Sequence, residues 1–205
     1  KYKKMRSNFL KKINFADYII VSPGVNINKA KLKKILLKNK EKIITDLDLF
    51  YLLNSDIKSI VVTGTNGKST TCKILEHVLK KNGINVKLGG NIGKPVLDLK
   101  LNNRPVVIIE ASSFQLSYSK YIKPNCAAIL NVTKDHLDWH GSMKEYINSK
   151  LKIFSNQNRN DFAFLNNQSL MKKFKKNNYE SKLKYVNKKK YTNLKKKNKK
   201  WLLKF

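Results

Sequence analysis

Ile60-Val61-Val62-Thr63-Gly64-Thr65-Asn66-Gly67-Lys68-Ser69-Thr70-Thr71 decides how the rest of the chain is read. Its apolar, β-branched run reads as a short buried strand that ends at Gly64. Gly67-Lys68-Ser69 then opens a helix with Ile74, Leu75, Val78 and Leu79 on one face and Gly83 as its stop. Turn amides and a helix N-terminus aimed at one spot make an anion site. Lys68 can set its ammonium on β- and γ-phosphates, and the Ser69 hydroxyl can ligate Mg²⁺. The spacing from Gly64 to Gly67-Lys68-Ser69 is two residues shorter than a Walker A loop. It reads either as a structural turn or as the nucleotide loop of a distinct family, and the flanking strand and helix favour the second.

A chain of 205 residues with 41% hydrophobic content can bury a core in one or two domains. No apolar run approaches the ~20 residues of a membrane span, so no membrane partner is expected. The basic start, Lys1-Tyr2-Lys3-Lys4, lacks the apolar segment of a signal peptide. Without an initiator Met, the chain is expected to begin inside a longer product. Cys72 and Cys126 lie far apart, which predicts reduced thiols and a cytoplasmic setting, with Cys72 packed rather than reactive.

The formal charge of +31 invites a nucleic-acid reading. Against it, Arg6, Arg104 and Arg159 are the only arginines among 44 basic residues, and the lysines are spread along the whole length with many Asn and Ile. Arginine is the better fork for bases and phosphates. A compositional bias explains the lysines, and no nucleic-acid partner is expected.

Along the chain, Asp17–Val21 reads as a strand closed by Ser22-Pro23-Gly24, and Asn28 as the N-cap of a helix running to about Asn39. Lys42–Thr45 is a second strand, Asp46–Phe50 starts a short helix, and Asn54-Ser55-Asp56 is the expected domain boundary. After the organising stretch, Asn85–Leu88 is a strand followed by Gly89-Gly90-Asn91-Ile92-Gly93. This second glycine loop is either a tight turn or a place where backbone approaches a ligand, with Asn91 offering a donor and an acceptor. Val106–Glu110 is a continuous apolar strand of the parallel-sheet kind, and its terminal carboxylate falls where ligands bind in open α/β sheets, as either a metal ligand or a capping or surface carboxylate. Ala127–Asn131 is a further strand, running into Val132-Thr133-Lys134-Asp135-His136-Leu137-Asp138. His136 is either a satisfied loop histidine or a group at phosphate or metal.

Ser142 and Glu145 have capping-box spacing. At 100° per residue, Met143, Tyr146, Ile147, Leu151, Ile153 and Phe154 form one apolar face, and Lys150 falls near its middle. Lys150 is either a snorkelling side chain or a buried amine that must be paired or modified. Asp161–Asn166 is a strand. The Lys- and Asn-rich remainder carries weak strand signals at Leu183–Val186 and Trp201–Leu203, and the chain looks cut off there.

Together these motifs resemble the Mur ligases of peptidoglycan precursor synthesis. Gly64-Thr65-Asn66-Gly67-Lys68-Ser69-Thr70 is similar to that family's shortened P-loop. Glu110–Leu116, Asn131–Asp138, Ser22-Pro23-Gly24 and Gly89–Gly93 are similar to its D-glutamate-adding branch. The resemblance covers most of 17–166 and implies an α/β architecture. Residues 1–54 would be the tail of a Rossmann-like, UDP-substrate-binding domain, 55–205 a parallel-sheet P-loop-type ATPase domain cut short, and a C-terminal ligase domain would be absent.

The implied activity is ATP-dependent amide formation between UDP-N-acetylmuramoyl-L-alanine and D-glutamate through an acyl phosphate, with this fragment alone inactive. By resemblance, Gly64, Thr65, Asn66, Gly67, Lys68, Ser69 and Thr70 bind ATP. Ser69 and Glu110 would hold one Mg²⁺, and His136 with a carbamylated Lys150 a second, Mn²⁺ being an alternative. Ser22, Asn91, Ser112, Gln115 and Asp135 would contact the UDP-linked substrate. A monomer is expected. The competing readings are a Mur or folylpolyglutamate-type ligase with another acceptor, a lysine-driven nucleic-acid module, and a non-catalytic fragment.

Overall fold

The apolar runs build parallel sheets in the computed structural model, which describes residues 12–186. Strands β1 (Ile19–Ile20) and β2 (Ile43–Ile44) pair with each other in a small parallel sheet. Helix α1 (Lys33–Lys38) packs on it through Leu36, in a cluster with Val21, Ile27 and Ile43. Helix α2 (Asp46–Leu53) follows and leads into the main sheet.

That sheet holds β3 (Ser59–Thr63), β4 (Val86–Gly90), β5 (Val106–Glu110), β6 (Cys126–Ile129), β7 (Phe162–Leu165) and β8 (Lys182–Tyr185), in the order β4-β5-β3-β6-β7-β8. Every pair is parallel. Parallel strands need crossovers, and these carry α3 (Lys68–Lys81), α4 (Ser113–Tyr118), α5 (Leu137–His140), α6 (Met143–Leu151) and α7 (Gln168–Lys176). Strand alternation divides the apolar side chains between two faces. Val61, Val107, Ile109, Ala127 and Leu165 join Leu116, Leu151 and Phe154, whereas Val62 and Ile108 join Cys72 of α3. Both faces are covered at β3 and β5, which is why these two strands read as unbroken apolar runs.

The chain leaves β3 for β4 on one flank and later crosses back to β6 on the other. The carboxyl ends of β5, β3 and β6 therefore border the crevice where α/β sheets bind ligands. Glu110 ends β5, Gly64 follows β3, and Leu130-Asn131 follow β6.

Several elements differ from expectation. Asn28 caps nothing: 26–32 form turns, the Asn28 N–H is held by Asn26 Oδ1 at 2.9 Å, and α1 starts at Lys33. Ile74 is 58% exposed, because the buried stripe of α3 runs through Cys72, Leu75 and Leu79. Ser142 accepts from the Glu145 N–H, but the reciprocal half of the box does not form. Helix α7 was not anticipated. Asn167 caps it by accepting from Ser169 and Leu170, and Leu170 and Phe174 are buried; lysines on the outer face masked this i, i+4 pattern. The expected strand at Leu183–Val186 is β8, and that at Trp201–Leu203 lies outside the described residues. No helix among the described residues is long and apolar enough to cross a membrane.

Helix α2 belongs to the main core through Leu47, Phe50 and Tyr51. Its anchor is Asp48, which is fully buried. One Asp48 oxygen accepts from the Thr45 N–H at 2.9 Å, closing a capping box. The other accepts from Ser119 Oγ at 2.7 Å, the Lys120 N–H at 2.8 Å and the Tyr121 N–H at 2.7 Å. Asp48→Ala leaves three backbone donors without this acceptor, at about 1–3 kcal/mol each. Urea unfolding should register a loss of roughly 3 kcal/mol or more, and a loss below ~1 kcal/mol would show that solvent replaces the carboxylate.

Candidate functional site

Gly67 adopts φ +83°, a left-handed turn that places its successors at the start of α3. The loop 64–67 is clamped from β6. The Thr65 N–H donates to the Asn131 carbonyl at 3.0 Å, the Asn66 N–H to Asn131 Oδ1 at 2.9 Å, and Asn131 Nδ2 back to the Asn66 carbonyl at 2.9 Å. Thr65 Oγ1 lies 3.0 Å from the Tyr146 hydroxyl and accepts from the Thr133 N–H at 3.0 Å. The loop is thus preset by side chains on two later elements, leaving the α3 amides at its mouth.

Three sequence-predicted residues converge beside it. Ser69 Oγ donates to Glu110 Oε2 at 2.7 Å, and Asn91 Nδ2 donates to Glu110 Oε1 at 3.0 Å. Glu110 is 1% exposed and forms no ion pair among the described residues. The second glycine loop has its explanation here. A Cβ on Gly90 would meet the Glu110 carbonyl oxygen at 2.4 Å, so glycine lets β4 close on the end of β5 and carry Asn91 to the carboxylate.

Lys68 folds over the loop, its Nζ donating to the carbonyls of Gly64 at 3.0 Å and Thr65 at 2.9 Å. Lys150 arrives from α6 at the same acceptor, with Nζ 3.0 Å from the Gly64 carbonyl oxygen. Lys150 is 1% exposed, and its amine sits 4.6 Å from the Tyr146 ring centroid. The snorkelling alternative is therefore overturned. Burial first, and the Lys68 charge second, bring the Lys150 ammonium down to about 7, against a smaller opposing effect of Asp135.

His136 adopts φ +51° at the start of α5 and stays accessible. It lies 3.3 Å from the Asp135 carboxylate, with its ring 4.7 Å from Phe114 and 6.3 Å from Tyr146. Sequence reasoning missed its neighbour His140, whose Nε2 is 3.0 Å from Ser113 Oγ. His140 is pushed down to about 4, chiefly by burial and then by Lys150 and His136, and so is neutral. It also assigned no part to Asn131 and treated Tyr146 as purely apolar; the polar residue directly after a strand at the crossover was the available signal for Asn131.

Other predicted residues make no side-chain hydrogen bond to the loop. Ser112 is the N-cap of α4, in a closed capping box with Gln115. Gln115 is 3% exposed and fully engaged: its carbonyl accepts from the Ser112 N–H and hydroxyl, and its amide donates to Asp46 at 3.0 and 3.2 Å. Ser22 is exposed on the small sheet's side, and Thr70 is exposed on the first turn of α3. Cys72 is buried, with its thiol raised to about 12 mainly by desolvation, in keeping with a packed residue.

Among the described residues no three of His, Cys, Asp and Glu converge as a metal cage. The donor set is instead a hydroxyl and one buried carboxylate beside a phosphate-type loop. That suits Mg²⁺, which keeps waters and is bound through one or two carboxylates plus substrate phosphates.

The profile described as Mur ligase middle domain matches residues 62–202. The UDP-N-acetylmuramoylalanine--D-glutamate ligase of Rickettsia prowazekii (strain Madrid E) is 41% identical over 150 residues, covering 73% of this chain and 33% of the relative. The same-named ligase of Aquifex aeolicus (strain VF5) is 40% identical over 151 residues, with 73% and 36% covered. The chain thus spans about a third of the length of the curated relatives it matches. Of solved structures, the UDP-N-acetylmuramate:L-alanyl-γ-D-glutamyl-meso-diaminopimelate ligase from Neisseria meningitides superposes with a TM-score of 0.55 at 19% identity, covering 85% of this chain and 60% of that one. The MurF ligase from Thermotoga maritima in complex with ADP gives 0.52 at 19% identity, over 82% and 50%. At these identities the two structures attest the fold.

The Lys150 amine makes a pH prediction. Its folded value of about 7 lies below its ordinary 10.5. Between those values the unfolded chain holds the proton and the fold does not, so stability rises with pH across that window. Thermal melts in CO₂-free buffer should show Lys150→Met gaining most over the parent below about pH 7 and converging with it toward pH 10.5. A difference independent of pH would show that the amine is not desolvated.

Proposed function

Because this chain belongs to the Mur ligase family, we propose that it forms the ATP-handling core of a ligase joining D-glutamate to UDP-N-acetylmuramoyl-L-alanine. The observation that carries the reading is the meeting of Lys68 and Lys150 on one loop carbonyl, beside the buried Ser69–Glu110 pair. The choice of acceptor rests on the D-glutamate-adding relatives, which share about two fifths of their aligned residues with this chain.

In this reading the loop amides and Lys68 hold the β- and γ-phosphates of ATP, giving up the Gly64 and Thr65 carbonyls to do so. Ser69 and Glu110 hold Mg²⁺, and Asn91 fixes the rotamer of Glu110 so that an oxygen faces the loop. Magnesium supplies charge neutralisation on the transferred phosphoryl group. The substrate carboxylate takes that group to become an acyl phosphate, and the amine of D-glutamate displaces phosphate to form the amide.

Lys150 is the residue suited to modification. A buried amine with its ammonium held near pH 7 has a substantial neutral fraction to attack CO₂. The resulting carbamate is an anionic oxygen ligand and, with His136, would hold a second Mg²⁺; Mn²⁺ fits the same donors. Conversion of Lys150 from cation to anion also turns Lys68 from a repelling neighbour into a counterion. Ser22, Asn91, Ser112 and Asp135 would contact the UDP-linked substrate, with Gln115 acting by orienting Ser112.

The test is ATP hydrolysis by the full-length protein with UDP-N-acetylmuramoyl-L-alanine and D-glutamate, beside Lys150→Ala with and without a short-chain carboxylic acid. Lys150→Ala should lose at least about a hundredfold in kcat, as expected when a preorganised charge at a developing anion is removed, and the acid should restore part of it. Unchanged turnover in Lys150→Ala would sink the carbamate. Turnover with another amino acid but not D-glutamate would move the chain to a different acceptor class.

A further inference from the structure

The hydroxyl of Thr63 is fully buried and has no hydrogen-bond partner among the described residues. Such groups are uncommon, because an unpaired buried hydroxyl forfeits its bonds to water. Valine would fill the same volume without that cost, and the preceding positions 61 and 62 are valine.

Its place in the strand suggests what the hydroxyl is for. Val62 faces α3, in the cluster with Cys72, whereas Val61 faces the opposite side, in the cluster with Leu116 and Leu151. Alternation puts Thr63 on the face of Val61. Lys150 reaches the sheet on that same side, from α6, and its amine is bonded to the carbonyl of Gly64, the next residue after Thr63. The Thr63 carbonyl is already occupied by the Leu130 N–H at 2.9 Å, so the side chain is the free polar group of this residue.

We propose that Thr63 is a positioning residue whose hydroxyl is reserved as the donor to a carbamate on Lys150. The inference rests on the carbamate reading above. In the modification the neutral Lys150 nitrogen forms a bond to the carbon of CO₂, one carbon–oxygen π pair becomes an oxygen lone pair, and an N–H proton passes to water. No electrons are exchanged with another reagent. The remaining N–H still donates to the Gly64 carbonyl, one carbamate oxygen accepts from Thr63, and the other is left for a cation. Thr63 then matches a partner that exists only after modification, which accounts for a polar group left unpaired before it.

The experiment uses the whole 205-residue chain, ¹³C-labelled bicarbonate and ¹³C NMR of the carbamate carbon, on the parent, Thr63→Val, Thr63→Ser and Lys150→Ala. The Lys150→Ala spectrum identifies the signal. Thr63→Val should need roughly ten- to hundredfold more CO₂ for half-occupancy, the value of one hydrogen bond to a charged group, and Thr63→Ser should stay near the parent. In CO₂-free buffer Thr63→Val should melt higher than the parent, since it removes the orphan. Equal occupancy in Thr63→Val and the parent overturns the role of Thr63 while leaving the carbamate standing. A loss of MgATP affinity in Thr63→Val with occupancy unchanged also overturns it, by assigning the hydroxyl to nucleotide. Absence of a Lys150-dependent signal in the parent at saturating bicarbonate overturns the carbamate reading itself.

Discussion

Two lysine amines share one carbonyl oxygen. Lys68, from the start of α3, and Lys150, from the end of α6, both donate to Gly64 at 3.0 Å. Burial strips water from the Lys150 ammonium, and the Lys68 charge beside it adds repulsion. The outcome is the depressed Lys150 amine, and through it a helix face that would be energetically unreasonable if its lysine stayed charged. The rest of the site is built to hold that meeting point. Asn131 clamps the loop on the side of β6, Tyr146 ties Thr65 to α6, and Glu110 stands at the end of β5 with Ser69 and Asn91 fixed upon it.

Much of this was legible because the local rules agree with the fold. The runs at 60–62 and 106–109 were readable as parallel strands since both of their faces are buried, and the polar groups beyond them could be placed at the crevice by topology alone. Lys150 stood out because periodicity put a charge where a hydrocarbon belonged. What escaped was information carried by tertiary contacts. Tyr146 looks apolar on a helical wheel, yet its hydroxyl meets Thr65, 81 positions away. Ile74 fits the α3 stripe by period, but the sheet is approached through Cys72 instead. Helix α7 was hidden by composition, since lysine dominated a segment whose two buried residues, Leu170 and Phe174, lie four apart.

Tyr118 of α4 packs against the apolar cluster of the small sheet, and its hydroxyl accepts from the Ile27 N–H at 3.0 Å; α2, ahead of the main sheet, is tied in by hydrogen bonds as well as by packing. Asp46 and Asp48 sit in the first turn of α2, one receiving the amide of Gln115 and the other receiving the chain at 119–121. Burial raises the Asp46 carboxyl above its ordinary range, with the Gln115 bond partly offsetting it. Because Gln115 also holds Ser112, the N-cap of α4 takes its orientation partly from the segment that precedes the main sheet.

The clamp on the loop also has a temporal side. The groups that shape 64–67 come from Asn131, Thr133 and Tyr146, and β3 finds its two neighbours only at 106–110 and 126–129. During synthesis the loop sequence is therefore made long before anything exists to shape it. Long-range parallel pairing of this kind forms slowly, after its loop-closure entropy has been met. A growing chain can complete the mouth of this loop only once residues near 150 have emerged, so the site is assembled late and nearly all at once. Until then the unpaired apolar strand at 60–62 is exposed to misassociation, the ordinary hazard of such sheets.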